Sequence, residues 1–161
     1  MQTLPLPESA DPEVRYRELL DSLRSLLCEE TDLIANLANV SAALFEALPA
    51  VSWVGFYRRR GDELVLGPFQ GKLACTRIPL GRGVCGTAAA SGETQVVPDV
   101  NAFPGHIACD SGSRSEIVVP VRRGAEVVAV LDLDSYQPAR FDAVDARHLE
   151  AVAALCGGLS W

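Results

Sequence analysis

Apolar residues recur at helical spacing early in this chain, cluster and alternate as in strands through the middle, and return to helical spacing at the end. Residues 1–11 show neither period and read as a loose extension ahead of a single domain spanning 12–161. Asp11-Pro12-Glu13 is a helix start: Asp can cap, Pro suits the first helical position, and Glu favours the first turn. Tyr16, Leu19, Leu20, Leu23, Leu26 and Leu27 then form one stripe, and Leu33, Leu37, Val40, Leu44 and Leu48 form a second, ending near Pro49. Val51 to Tyr57 and Glu63 to Phe69 are β-rich runs joined by Arg60-Gly61-Asp62, a hairpin pattern. Ala74 to Pro79 reads as a third strand, Gly81 to Gly86 as a tight loop, Thr87 to Ser91 as a short helix stopped by Gly92, and Thr94 to Val97 as a brief strand.

Pro98 to Ser113 has no period, and a long irregular segment inside a compact domain is usually functional or mobile. Glu116 to Val121 and Val127 to Asp134 make a second hairpin, turning at Arg123-Gly124-Ala125-Glu126. A last helix runs from about Asp142 to Leu159. The order implies an α+β fold: an antiparallel sheet with the N-terminal and C-terminal helices packed on one face and loops over the other.

Composition narrows the function. With 161 residues and 48% apolar content the chain can bury a proper core. The formal net charge of −7 disfavours nucleic acid, which needs clustered Lys and Arg. Arg58 to Arg60 and Arg122 with Arg123 sit at the hairpin turns, where a solvated face explains them. No apolar run approaches a membrane span, and the N-terminus has no basic start followed by an apolar stretch, so the expected address is cytoplasmic. Five cysteines, an odd number, do not suggest a secreted disulfide framework. Cys28 and Cys156 border helical stripes and read as packing.

Cys75, Cys85 and Cys109 lie beside Gly, Pro and charged residues, where a thiol can reach solvent and react. Three such thiols allow one to attack, a second to resolve and a third to assist. Glu116, Asp132 and Asp134 follow them. Strand alternation puts Asp132 and Asp134 on one face, and two carboxyls among Val130, Leu131 and Leu133 would have raised pKa values if crowded and buried. A solvated sheet edge would leave them ordinary. Trp53 and Tyr57 share a strand face, as core residues often do. Gly81, Gly83 and Gly86 could let backbone amides approach a ligand carboxylate, or could simply serve the turn. A zinc site from Cys75, Cys85, Cys109 and His106 would use suitable ligand types, but only His106-x-x-Cys109 has close spacing. With His106 and His148 as the two histidines and no nucleophile elbow, a serine hydrolase does not fit.

Trp53-Val-Gly-Phe-Tyr57, Leu66-Gly-Pro-Phe-Gln-Gly71, Gly81-Arg-Gly-Val-Cys-Gly86, His106-Ile-Ala-Cys-Asp110, Ser113-Arg-Ser-Glu116 and Val130-Leu-Asp-Leu-Asp-Ser135 together resemble the GAF-domain free methionine-(R)-sulfoxide reductases. The resemblance runs from about residue 14 to the C-terminus. It implies a GAF-like fold and reduction of free L-methionine (R)-sulfoxide through a cysteine sulfenic acid and an intramolecular disulfide. No bound cofactor or metal is implied; an external thioredoxin-type dithiol would regenerate the thiols. The resemblance puts the nucleophile at Cys109 and the chief resolving cysteine at Cys75, with Cys85 as a second partner; residue chemistry by itself does not rank Cys75 against Cys85. Glu116 and Asp134 would work at the sulfoxide oxygen, Asp132 would anchor the amino group, and Trp53 and Tyr57 would line the pocket. A homodimer through the first two helices and the last one is also implied. A GAF small-ligand sensor without catalysis is the rival reading, although a passive pocket has no need of three reactive thiols.

Overall fold

A computed structural model describes residue 7 and residues 9–107 and 109–161. Most of the extension read over 1–11 therefore lies outside the described residues. Helix α1 (Pro12–Leu27) begins as its sequence dictates: the Asp11 side chain accepts from Glu13 N, and Pro12 occupies the first helical position. Helix α2 (Leu33–Ala47) is capped in the same way by Asp32, which accepts from Ala35 N.

The strands are β1 (Trp53–Arg60), β2 (Glu63–Gln70), β3 (Arg77–Pro79), β4 (Gln95–Val97), β5 (Ser115–Arg123) and β6 (Glu126–Ser135). They form one sheet in the order β3-β2-β1-β6-β5-β4, antiparallel at every pairing. Gly61 and Gly124 take positive φ, +62° and +61°, in the two hairpin turns, a conformation with no steric cost for glycine. The β1–β2 register slips by one residue between Gly55 and Tyr57, opposite Gly67-Pro68 on β2. That irregularity is where a proline, which has no N–H to donate, is tolerated inside a strand. Helices α3 (Gly83–Ser91) and α4 (Ala143–Gly157) complete the fold, the latter opened by a reciprocal capping box between Asp142 and Asp145.

Side-chain alternation divides the sheet into two faces. Val54, Phe56, Ile117, Val119, Leu131 and Leu133 point to one side, where α1, α2 and α4 cover them. Each such fully buried side chain contributes about 1.5–3 kcal/mol relative to exposure. Asp145 fastens this layer: it accepts from Tyr16 Oη at 2.7 Å and Arg140 Nη1 at 3.1 Å. Trp53, Tyr57, Val118 and Val130 point to the other side, against Val84, Cys85 and Ala88 of α3 and the irregular loops.

Several sequence expectations are corrected. The third strand is shorter than Ala74 to Pro79, because the residues before Arg77 form a loop leading into it. The short helix starts at Gly83, within the segment read as a loop, and packs on the face opposite the other helices. The aperiodic stretch contains a 3₁₀ turn at Val100–Ala102. Cys28 is not packed in a stripe; it is exposed at the end of α1, where its thiol donates to Ser25 O at 3.0 Å.

Candidate active site

The site lies where the central strands, the start of α3 and the two cysteine-bearing loops meet. Antiparallel pairing sets Glu116 directly opposite Asp134 and Val118 opposite Asp132, so all three carboxyls project from the α3 face. On the other flank β1 pairs with β6, with Trp53 opposite Asp134 and Gly55 opposite Asp132. The indole of Trp53 therefore borders the acids and stacks between Tyr57 and Phe69, at centroid distances of 6.0 and 5.4 Å. Gly55 must be small: an added Cβ would fall 2.4 Å from Cβ of Phe69. Trp53 Nε1 donates to Lys72 O at 3.0 Å and the Tyr57 hydroxyl donates to Cys75 O at 3.0 Å. These two bonds tie the aromatic wall to the loop that carries Cys75.

These surfaces form a pocket, open to solvent on one side, with about 550 Å³ of empty space, lined by Trp53, Tyr57, Cys85, Glu116, Asp132, Asp134, His106, Ile107, Cys109 and Asp110 among others. Cys75 and Cys109 are joined in a disulfide, with their Cα atoms 5.5 Å apart. Cys85 is a buried thiol rather than the solvent-facing loop thiol expected. It sits 3.3 Å from Asp132 Oδ2 and 3.9 Å from Glu116 Oε1. The zinc set considered from sequence is not available in this state, because two of its sulfurs bond to each other. Among the described residues, the group with metal-ligating atoms gathered within 4.8 Å is Cys85, Glu116 and Asp132.

Burial governs the electrostatics. Desolvation pushes Glu116 and Asp132 well above the usual carboxylate range; Asp132 and Asp134 push Glu116 the same way, whereas Asp132 is raised further by Asp134 but lowered in part by hydrogen bonds from Cys85 and Glu116. Asp134 is pushed up to about 7, chiefly by burial, against a hydrogen bond from Ser113 that favours its charged form. The Cys85 thiol is raised well above its ordinary value by burial, then by Asp132 and Glu116, so it is protonated at neutral pH. Oδ1 of Asp132 is buried with no hydrogen-bond partner. The cavity thus holds carboxyls biased toward their protonated forms, which can donate to an oxygen, beside one buried carboxyl oxygen without a partner.

The glycine loop serves two purposes. Gly81 N donates to Gly86 O at 2.8 Å and Gly86 N donates to Arg82 O at 3.0 Å, so these two amides close the turn and do not face a ligand. Gly83, at φ +61°, opens α3 beside the cavity, and no side chain caps this helix end. The sequence reading missed Ser113, which braces Asp134, and did not place His106, whose Nε2 lies 3.8 Å from Glu116 Oε2. It also missed Asp110, which accepts from Tyr136 Oη at 2.8 Å, Lys72 Nζ at 3.3 Å and Gly112 N at 2.9 Å. Asp110 sits next to the disulfide in sequence. The signal for these residues was their company: each falls within three residues of a cysteine or an acid already singled out.

A six-stranded antiparallel sheet flanked by helices, with its ligand-sized cavity under loops, is the architecture of a GAF domain, and the GAF-domain family model matches residues 29–158. The chain is 49% identical over 139 residues to the free methionine-R-sulfoxide reductase of Escherichia coli, covering 86% of this chain and 84% of that protein. It is 53% identical over 148 residues to protein YtsP of Bacillus subtilis, covering 91% of each. The solved structure of free methionine-R-sulfoxide reductase from Neisseria meningitidis in complex with its substrate superposes with a TM-score of 0.93 at 52% identity, over 98% of this chain and 94% of that one. The chain belongs to the free methionine-R-sulfoxide reductase family of GAF domains.

Proposed function

We propose that this protein reduces free L-methionine (R)-sulfoxide to L-methionine by a thiol–disulfide cycle. One observation carries the reading beyond family membership: a disulfide between Cys75 and Cys109 borders a cavity whose three carboxyls are biased toward their protonated forms. A sulfoxide sulfur accepts a thiolate only if its oxygen is protonated as the bond breaks, and a neutral carboxyl supplies that proton.

In the reduced enzyme, the Cys109 thiolate attacks the sulfoxide sulfur while Glu116 or Asp134 protonates the oxygen. The oxygen passes to Cys109 as a sulfenic acid and methionine leaves with the electron pair. The Cys75 thiol then displaces water from the sulfenic sulfur, forming the Cys75–Cys109 disulfide. The substrate ammonium group fits the unpartnered oxygen of Asp132, and the substrate carboxylate fits the uncapped start of α3, where backbone dipoles favour an anion. Trp53 and Tyr57 wall the apolar arm. Cys85, held protonated, is a weak attacker and fits a supporting role as a hydrogen-bond donor to Asp132.

The cycle needs no bound cofactor but does need an external reductant, for which a thioredoxin-type dithiol is the natural class. That need favours a reducing compartment, hence the cytoplasm; no helix among the described residues is long and apolar enough to cross a membrane. A homodimer through the helical face belongs to the same reading, supported by Ile34 and Phe45, which are exposed on α2. The test is a thioredoxin-coupled assay with the free R epimer, the free S epimer and peptide-bound sulfoxide, for wild type and Cys109→Ser. Turnover of the free R epimer alone, lost in the variant, is expected. Folded, reduced protein that turns over no sulfoxide would overturn the proposal.

A further inference from the structure

Cys75 and Cys109 are two ends of one bond, yet their surroundings differ. Cys75 is half-buried, packs against the cluster formed by Trp53, Tyr57 and α3, and has its carbonyl held by the Tyr57 hydroxyl. Cys109 is exposed. It also borders a second, open cleft between the two cysteine loops, with about 840 Å³ of empty space, lined by Gly71, Lys72, Leu73, Cys109 and Asp110. Cys75 is not among its lining residues. On the rim, Leu73 is 89% exposed, the most exposed large apolar residue among those described, and the Lys72 side chain is 68% exposed.

Access decides which sulfur of a disulfide is attacked, because the incoming thiolate must approach in line from behind the sulfur, opposite the one that leaves. From solvent, the open approach leads to Cys109. Resting on the thiol–disulfide cycle proposed above, we infer that the reducing protein dithiol docks over Leu73 and Lys72 and attacks Cys109, with Cys75 as the leaving thiolate. Its first thiolate forms a bond to the Cys109 sulfur as the bond to Cys75 breaks, and Cys75 takes up a proton. The second thiol of the reductant, deprotonated, then attacks its own partner sulfur and releases Cys109 as a thiolate. The reductant is oxidised by two electrons and the two cysteines are reduced. The sulfur that meets the sulfoxide is therefore the last to be freed, and it emerges already ionised beside the carboxylate cavity. The exposed Leu73 is the apolar surface a partner would cover, in a place where an isolated leucine contributes nothing to the core.

The experiment uses the oxidised full chain and a thioredoxin-type protein whose second active-site cysteine is replaced by serine, so that the mixed disulfide accumulates. An acid quench, alkylation and peptide mapping then locate it. The reductant attached to Cys109, with Cys75 alkylated, is expected; attachment to Cys75 with Cys109 alkylated overturns the assignment. For the docking rim, Leu73→Glu should slow reduction by the intact protein dithiol about tenfold while reduction by dithiothreitol stays within about twofold. Equal slowing of both, or of neither, overturns the docking surface. Methionine release by pre-reduced wild type in a single turnover is read separately. Its absence would remove the reductase function without affecting the mapping of the attacked sulfur.

Discussion

Replacing Asp134 by Asn should change how the stability of the protein depends on pH. In the native state Asp134 keeps its proton until about pH 7, whereas in the unfolded chain it ionises near its ordinary 3.8. Between those values the native state binds the extra proton, so stability falls as pH rises and levels off above about pH 7. Each pH unit across the window is worth about 1.4 kcal/mol, which gives about 4 kcal/mol in all. Asp134 is only half-buried by area and faces the cavity, so screening by water brings the measurable value to about 2–3 kcal/mol. Asparagine is nearly isosteric, can still accept from Ser113, and never ionises. Urea unfolding of the oxidised protein at pH 5, 6, 7 and 8 should show the wild type weakening steadily relative to Asp134→Asn. The variant should be the more stable by about 2–3 kcal/mol at pH 8 and close to equal near pH 4. Glu116 and Asp132 are present in both proteins, and the difference reads Asp134 together with the push its charge gives those two carboxyls. Parallel pH profiles, or a wild type that gains on the variant as pH rises, would refute the claim that burial holds this proton.

Reducing the disulfide should cost about 4 kcal/mol of stability, the loop-closure value for a sequence separation of 34, and a denaturation midpoint that ignores reductant would contradict this. In the oxidised protein at pH 7, iodoacetamide should label exposed Cys28 at least about tenfold faster than Cys85, followed by peptide mass spectrometry; equal labelling would mean that the Cys85 thiol is neither buried nor protonated. Gly86→Ala should destabilise by about 1–3 kcal/mol in urea, since its Cβ would lie 2.4 Å from Pro79 O, a backbone atom that cannot rotate away. A fully stable Gly86→Ala protein would show that α3 shifts freely against β3.

The long elements were legible because each carries a complete local code. Asp11-Pro12-Glu13 starts α1, and Gly61 and Gly124 turn the two hairpins at positive φ. Asp132 and Asp134 could be placed together because alternation within one strand is a local property. Glu116 could not be joined to them from spacing: its pairing with Asp134 is a matter of register across a hairpin, which the turn and the slip beyond Val121 decide together. The start of α3 was hidden because three glycines in six residues read as a loop, while tertiary packing against Pro79 and Ile107 overrides that preference. The same misreading put Cys85 at the surface. The disulfide partners were legible only through family likeness, since residues 34 apart are brought together by the fold and not by any local signal.

Strand β6 has a frame, in the sense that a message has one. Read in one phase it supplies Ala129, Leu131 and Leu133 to the helical layer; read in the other it supplies Val130 to the α3 cluster and Asp132 and Asp134 to the cavity. Substitution can alter either message alone. A single inserted or deleted residue between Val130 and Asp134 would exchange them, sending carboxyls into the hydrocarbon layer and leucines toward the substrate. Chemistry and foldability are therefore written on the same few residues, and a frameshift of one step there would erase both.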